Sequence, residues 1–201
     1  PPLIQNLDTI PLPDNDYADK YLLCGKHILP MNDDRLKKYS GLKKKTYKTL
    51  PTRGCRYACT YCCHSALKKL YPNQNYIRKR SIDNIIKELM EVKNAERIKF
   101  SDDHFFSYNE EEIEDFCRKY KKSINLPLMI LGVSPGAFSR RKLALLVDAG
   151  LVYLKVGIQT GSKNTKKLYK RSHSNKRIIQ IAKEIHEFGI SEVTYDIIID
   201  N

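Results

Sequence analysis

From residue 46 onward, short apolar runs alternate with segments of helical periodicity, and no other feature of this 201-residue chain restricts its fold as strongly. "KTYKTLPT", "RIKFS", "LPLMILGVS", "VYLKVGIQT" and "EVTYDIII" read as five successive strands. The stretches between them read as helices. Ser81 caps a helix whose Ile82, Ile85, Ile86, Leu89 and Met90 are expected on one face. Asn109 caps "EEEIEDFCRKYKK", with acids in the first turn and bases in the last, as the helix dipole favours. Ser139 opens a helix that runs through Leu146 and stops at Gly150. A further helix from about Ser174 gathers Ile178, Ile181, Ala182 and Ile185 and ends at Gly189. Strands separated by helices need a crossover at every step, which predicts a parallel sheet with helices outside. Runs of apolar residues, rather than strict alternation, suit strands covered on both faces. A doubly wound sheet and a barrel both satisfy the pattern. Five units fall short of a complete eight-stranded barrel, and no helix follows the fifth strand.

Residues 1 to about 45 read as an irregular lead-in punctuated by Pro and Asp. The opening "PPLIQNLDTIPLPD" lacks the basic stretch and apolar run of a signal peptide. No apolar run approaches the roughly 18 residues of a membrane span, and Asp148 interrupts "LALLVDAGLVYL". A cytoplasmic protein is expected. The missing initiator Met and the ending "YDIIIDN" point to a segment of something longer. Lys and Arg number 36 against 23 Asp and Glu, a net charge of +13. The runs "LKKYSGLKKKTYK" and "SKNTKKLYKRSHSNKR" would suit a polyanion such as RNA. Abundant Lys, Ile, Asn and Tyr with no Trp favour a composition-wide bias over a nucleic-acid partner.

"GCRYACTYCCH", residues 54–64, holds four of the six cysteines. Disulfides do not suit a cytosolic chain. Zinc sites usually combine two separated ligand pairs, whereas Cys55, Cys59 and Cys62 form a single CxxxCxxC cluster. Cys24 and Cys117 lie elsewhere, and Cys117, among Ile113, Phe116 and Tyr120, reads as a core thiol. Three thiolates can hold three corners of an iron–sulfur cubane, whose complete ligation takes four. Cys63 is a poor fourth ligand because adjacent side chains diverge, and Cys63 and His64 read as ordinary loop residues. An iron corner is then open to a substrate or cofactor.

CxxxCxxC with the aromatic Tyr61 before its third cysteine, following a first strand and leading into repeated βα units, resembles the radical S-adenosylmethionine enzymes. The resemblance implies a partial (β/α)6 TIM-like α/β barrel, parallel strands with helices outside, over residues 46–201, with residues 1–45 a linker from an upstream domain. It implies that Cys55, Cys59 and Cys62 bind a [4Fe–4S] cluster whose open iron chelates S-adenosylmethionine. One electron would then cleave the sulfonium to methionine and a 5′-deoxyadenosyl radical, which abstracts a hydrogen atom from substrate. The protein supplies position and shielding. By the same resemblance Tyr61 lies against the adenine, and Asp102 and Asp103 in "FSDDHF" are candidates for the methionine amino group, which a carboxylate suits. Gln159 meets the cofactor, Arg171 pairs with its carboxylate through a planar fork, and Asp196 lies near the ribose. Read from the residues alone, Asp196 is equally a partner for Arg171, and Ser162 a helix cap. The chain departs from many relatives at Gly132, where they carry Glu, and at Asp200, where they carry Gly. Ser134 offers a hydroxyl near the first departure.

The lead-in "IQNLDTIPLPDNDYADKY", with "TRGCRYACTYCC", "FSDDHF" and "YDIIIDN", resembles the cobalamin-dependent branch of that family. This implies a cobalamin-binding domain outside the segment, and chemistry such as methyl transfer. An external electron donor, a flavodoxin or ferredoxin, is implied as well. Two alternatives carry other consequences: a tRNA methylthiotransferase-like radical enzyme, and a non-catalytic metal-containing module that binds nucleic acid. The fifth strand's open edge is expected to be covered by a neighbouring segment or chain. Nothing in the sequence selects a substrate.

Overall fold

The computed structural model describes residues 1–16, 19–39 and 45–199. In chain order, a 3-10 turn (Leu7–Thr9) precedes β1 (Tyr21–Cys24), β2 (His27–Pro30), α1 (Asp33–Tyr39), β3 (Thr46–Thr49) and β4 (Thr52–Arg53). Then come α2 (Cys63–Leu70), β5 (Arg78–Lys79), α3 (Ile82–Glu91), β6 (Arg97–Phe100) and α4 (Glu110–Ser123). The chain continues through β7 (Leu128–Val133), α5 (Arg140–Asp148), β8 (Leu151–Gln159), α6 (Lys163–Tyr169), α7 (Asn175–His186) and β9 (Glu192–Ile197).

Strands β3, β6, β7, β8 and β9 form one parallel sheet in that order. A doubly wound sheet reverses its strand order at a switch point; here the order follows the chain throughout. With right-handed crossovers, every connecting helix then falls on one face of the sheet. That is the wall of a barrel, and it settles the choice the pattern left open.

Side chains alternate across this wall. Ile98, Phe100, Leu128, Ile130, Leu154 and Val156 point to the helices and join one core with Ile85, Leu89, Ile113, Phe116, Leu143, Leu146, Ile181 and Ile185. Their neighbours Lys48, Arg97, Lys99, Met129, Lys155 and Asp196 occupy the opposite, helix-free face. The expectation of strands buried on both faces is therefore corrected: β6 alternates between half-buried and buried residues along its length. Apolar character along β7 disguised the alternation.

Each expected cap is present. Ser81, Asn109, Ser139, Ser162 and Ser174 accept hydrogen bonds from the first-turn amides of α3 to α7, and Asn109 completes a capping box with Glu112. Cys117 is buried in the core, where burial pushes its thiol up to about 12.

Three further readings need correction. "KTYKTLPT" is not one strand: Pro51 has no amide hydrogen to continue a ladder, and β4 departs to pair antiparallel with β5. Met90 is 64% exposed, because it lies roughly 90° from the centre of the apolar stripe at 3.6 residues per turn. The lead-in is not irregular. β1 and β2 form a hairpin turning at Gly25, whose φ of +62° suits glycine. Leu7 is buried, Leu3 N–H donates to Gln74 Oε1 at 2.8 Å, and Ser81 N–H donates to Asp8 Oδ1 at 2.9 Å. The start of the chain is thereby tied to the barrel. Asp200 and part of the run "LKKYSGLKKKTYK" lie outside the described residues.

Candidate functional site

The loops after β4, β6, β7 and β8, with the end of β9, enclose a cavity of about 440 Å³. All nine residues singled out from the sequence line it: Cys55, Cys59, Tyr61, Cys62, Asp102, Asp103, Gln159, Arg171 and Asp196. It opens where the parallel strands end, the face on which barrel enzymes assemble their sites.

The cysteine loop is shaped by its backbone. Cys62 N–H donates to the Cys59 carbonyl at 3.1 Å, a turn that brings two thiols together. Cys62 is then the N-cap residue of α2, so its sulfur sits at the positive end of a helix. Burial raises the Cys55 and Cys62 thiols above their ordinary range, and the three sulfurs are close enough for Cys59 to push both further up. Partly buried thiols that oppose one another's ionisation become thiolates only beside a compensating cation, and thiolate donors select soft metal centres. The donor set fits an iron–sulfur cluster.

Cys63 is exposed. Its sulfur, that of Cys62 and a ring nitrogen of His64 lie within 4.8 Å of one another. His64 is nonetheless engaged at both nitrogens: Nδ1 meets Tyr76 Oη at 2.7 Å and Nε2 meets Asp103 Oδ1 at 3.1 Å. It is a brace between the helix and the β6 loop, a role more definite than that of an ordinary loop residue.

The two aspartates divide their work. Asp103 Oδ2 accepts from Gly54 N–H at 2.9 Å and so pins the start of the cysteine loop. Asp102 Oδ1 accepts from Thr52 N–H at 2.6 Å and Thr52 Oγ1 at 2.7 Å, while its buried Oδ2 has no partner. Burial pushes the Asp102 carboxyl up to about 7, against the Thr52 hydrogen bonds that lower it. Gly132 explains one departure from the family pattern: its φ is +78°, and a Cβ there would meet the Asp102 carbonyl oxygen at 2.7 Å. A glutamate at that position would collide with the backbone.

Arg171 donates Nη2 to the Gly157 carbonyl at 2.7 Å and Nη1 to Cys59 Sγ at 3.6 Å, and lies 5.6 Å over the Tyr57 ring. Its buried Nε is unpartnered. Gln159 adopts φ +70°, uncommon for a residue with a side chain, beside an irregularity in the β8–β9 register. Asp196 pairs with Lys155 at 2.8 Å, not with Arg171. Tyr61 packs edge-on against Tyr169 at 4.8 Å, and burial followed by its contact with Cys59 raises its hydroxyl.

Sequence reasoning missed Tyr57, His104 and Lys155, which line the same cavity. His104 is buried with Nε2 unpartnered, stacked edge-on with Tyr57 at 5.6 Å, and burial pushes it down to about 4. Its signal lay in "FSDDHF", where two acids drew attention from the imidazole. Lys155 was marked by a lone charge in the apolar run "VYLKVGIQT". Ser134 is buried against the cavity with its hydroxyl unpartnered. Unpaired atoms on Asp102, His104, Ser134 and Arg171 thus surround one cavity.

Residues 49–200 match the radical SAM superfamily. The chain belongs to it. No curated protein matches the chain. Among solved structures, the cobalamin-dependent S-adenosylmethionine radical enzyme OxsB, with aqua-cobalamin and S-adenosylmethionine bound, is similar at TM-score 0.61 and 17% identity, over 75% of this chain and 23% of its own. The radical S-adenosylmethionine methyltransferase TsrM from Kitasatospora setae, with cobalamin and a [4Fe-4S] cluster bound, is similar at 0.64 and 16%, over 83% and 33%. The Escherichia coli radical SAM enzyme HemN, coproporphyrinogen III oxidase, is similar at 0.57 and 14%, over 77% and 37%. At these identities the likeness is one of fold: the radical SAM barrel, in part. The chain spans between about a quarter and a third of the length of OxsB and TsrM. Among the described residues no helix is long and apolar enough to cross a membrane.

Proposed function

We propose that this radical SAM protein cleaves S-adenosylmethionine reductively, with Cys55, Cys59 and Cys62 holding a [4Fe–4S] cluster, and that it works with cobalamin, as a methyltransferase or related enzyme. One observation carries the reading: nine residues chosen from sequence converge on one cavity, with three thiols in mutual electrostatic range. When bound, the cluster and nucleotide supply reductive sulfonium cleavage and a carbon radical for hydrogen abstraction. The chain's own residues bind, orient and shield. Arg171 offsets thiolate charge at Cys59 and has a buried N–H free for a carboxylate. Asp102 offers an unpartnered carboxylate oxygen to an ammonium, with Asp103 holding the loop beside it. Gln159 and Asp196, at the β8 and β9 ends, would hold the nucleotide, and Tyr61 would pack against its adenine. The aromatic pairs Tyr61–Tyr169 and Tyr57–His104 flank the cavity.

Similarity of fold to OxsB and TsrM supports cobalamin, which a domain outside residues 1–201 would hold. Residues 1–45 are then the lead-in from that domain and residues 46–201 the radical SAM core. A flavodoxin or ferredoxin would supply the electron, and the cytoplasm would keep the thiols reduced. The test is anaerobic reconstitution of the full-length protein with iron and sulfide, followed by reduction with S-adenosylmethionine present. 5′-Deoxyadenosine should form, and Cys55→Ala, Cys59→Ala or Cys62→Ala should each abolish it, whereas Cys24→Ala and Cys117→Ala retain cluster iron. Full cleavage by Cys62→Ala would overturn the ligand assignment. Growth with hydroxocobalamin should yield protein carrying its visible absorption; colourless protein counts against the cobalamin assignment.

A further inference from the structure

The helix-free face of the barrel wall carries more positive charge than it neutralises. Lys48 and Lys99 are register partners on β3 and β6, and Arg97 lies on the same face one pleat below Lys99. Lys155 projects from β8 on that face and lines the cavity that holds the cysteines. The only acids on this face of the five strands, among the described residues, are Glu192 and Asp196, both on β9. Asp196 is committed to Lys155. No ion pair reaches Lys48, Lys99 or Arg97 among the described residues, and Arg97 Nε is buried without a partner. A sheet does not ordinarily place like charges on adjacent strands, because directly opposed like charges are destabilising.

We infer that Lys48, Lys99 and Lys155 form an anion site inside the barrel that receives the phosphate group of a small-molecule substrate beneath the cysteine-lined cavity. The inference rests on the reading of that cavity as the reaction site. Phosphate fits better than carboxylate: its dianion presents three acceptor oxygens to three ammonium groups, and lysine binds phosphate as a compact point charge. Two ammoniums without counterions match the two charges it brings. Lys99 and Lys155 are half-buried and only Lys48, on the edge strand, is exposed, a setting that suits one small phosphate ester rather than a nucleic acid, which would need an open basic surface. Burial and then the charges of Lys48 and Lys155 lower the Lys99 ammonium, the condition a bound anion relieves.

The test separates this site from the proposed cleavage reaction. Thermal unfolding of the anaerobic full-length protein is followed with inorganic phosphate, with acetate, with an oligoribonucleotide and with sodium chloride at matched ionic strength. Phosphate alone should raise the midpoint. Lys99→Met should weaken phosphate binding about tenfold or more, the worth of a lost charge-assisted hydrogen bond. Without phosphate the same variant should unfold at a higher temperature than wild type, since it removes a repelled charge; a structural lysine would give the opposite sign. Lys87→Met, on the exposed side of α3, should alter neither reading. Equal effects of acetate or RNA, no effect of phosphate, or destabilisation by Lys99→Met would overturn the site. Wild-type protein that cleaves S-adenosylmethionine but ignores phosphate refutes this inference alone. Protein that binds phosphate but never cleaves refutes the reading of the cavity.

Discussion

Asp102 and His104 sit two residues apart on the β6 loop, yet burial moves them in opposite senses: Asp102 up to about 7 and His104 down to about 4. Between their ordinary and shifted values the native state holds a proton on Asp102 that the unfolded chain releases, so that group makes stability fall as pH rises from about 4 to 7. Native His104 lacks a proton that the unfolded chain takes up, so it makes stability rise with pH from about 4 to 6.5. The two largely cancel. Asp102→Asn should unmask His104: denaturant midpoints of the cofactor-free protein should then climb with pH across that window, by at most ~1.4 kcal/mol per pH unit. A profile as flat as wild type would show that one of the two groups is not buried as described. At Gly132 the demand is steric. Gly132→Ala combines a left-handed backbone with a 2.7 Å approach to the Asp102 carbonyl oxygen, and should cost about 2 kcal/mol or more in chemical denaturation. "FSDDHF" was legible as part of a site, but the split of duties between its acids was not: the partners Thr52 and Gly54 lie about fifty positions away.

Helices were the most legible elements, because a cap and an apolar stripe are local properties. Asn109 shows how firmly one is drawn: its side chain accepts from Glu112 N–H at 2.7 Å while the Glu112 carboxylate accepts from Asn109 N–H at 2.7 Å. Glu112 also pairs with Lys79 of β5 at 2.6 Å, linking α4 to the ribbon beneath the cysteine loop. Asn109→Ala should therefore lower stability by about 1 kcal/mol, the usual worth of an N-cap, read from the shift in urea midpoint. A loss below a few tenths would mean that Glu112 and Lys79 hold the turn without it. Strands were harder. Pro51 divides what looked like one strand, and β4 and β5 are two residues each, too short to leave a period. The β1–β2 hairpin was missed because its strands are four residues each and its apolar Leu23 and Ile28 stay exposed, so hydrophobicity does not report which side is covered.

At the level of the molecule, β3 and β9 are the two edges of an open barrel wall. β9 presents Ile197 at 62% exposure, an unpaired apolar edge of the kind that recruits another strand. A protein of residues 1–201 should associate with rising concentration in light scattering, and Ile197→Lys should suppress it; a wild-type monomer at all concentrations would mean the edge is already protected. The amino-acid order alone determined the parallel α/β class, the helix ends and the cysteine cradle, since caps, apolar stripes and CxxxCxxC spacing are written within a few residues of one another. Choosing a barrel over a doubly wound sheet required the strand order. The engagement of His64, the pairing of Asp196 with Lys155 and the row of ammonium groups on the inner face also emerged only in three dimensions. Each depends on which distant strands lie side by side, and that is decided by packing the whole core.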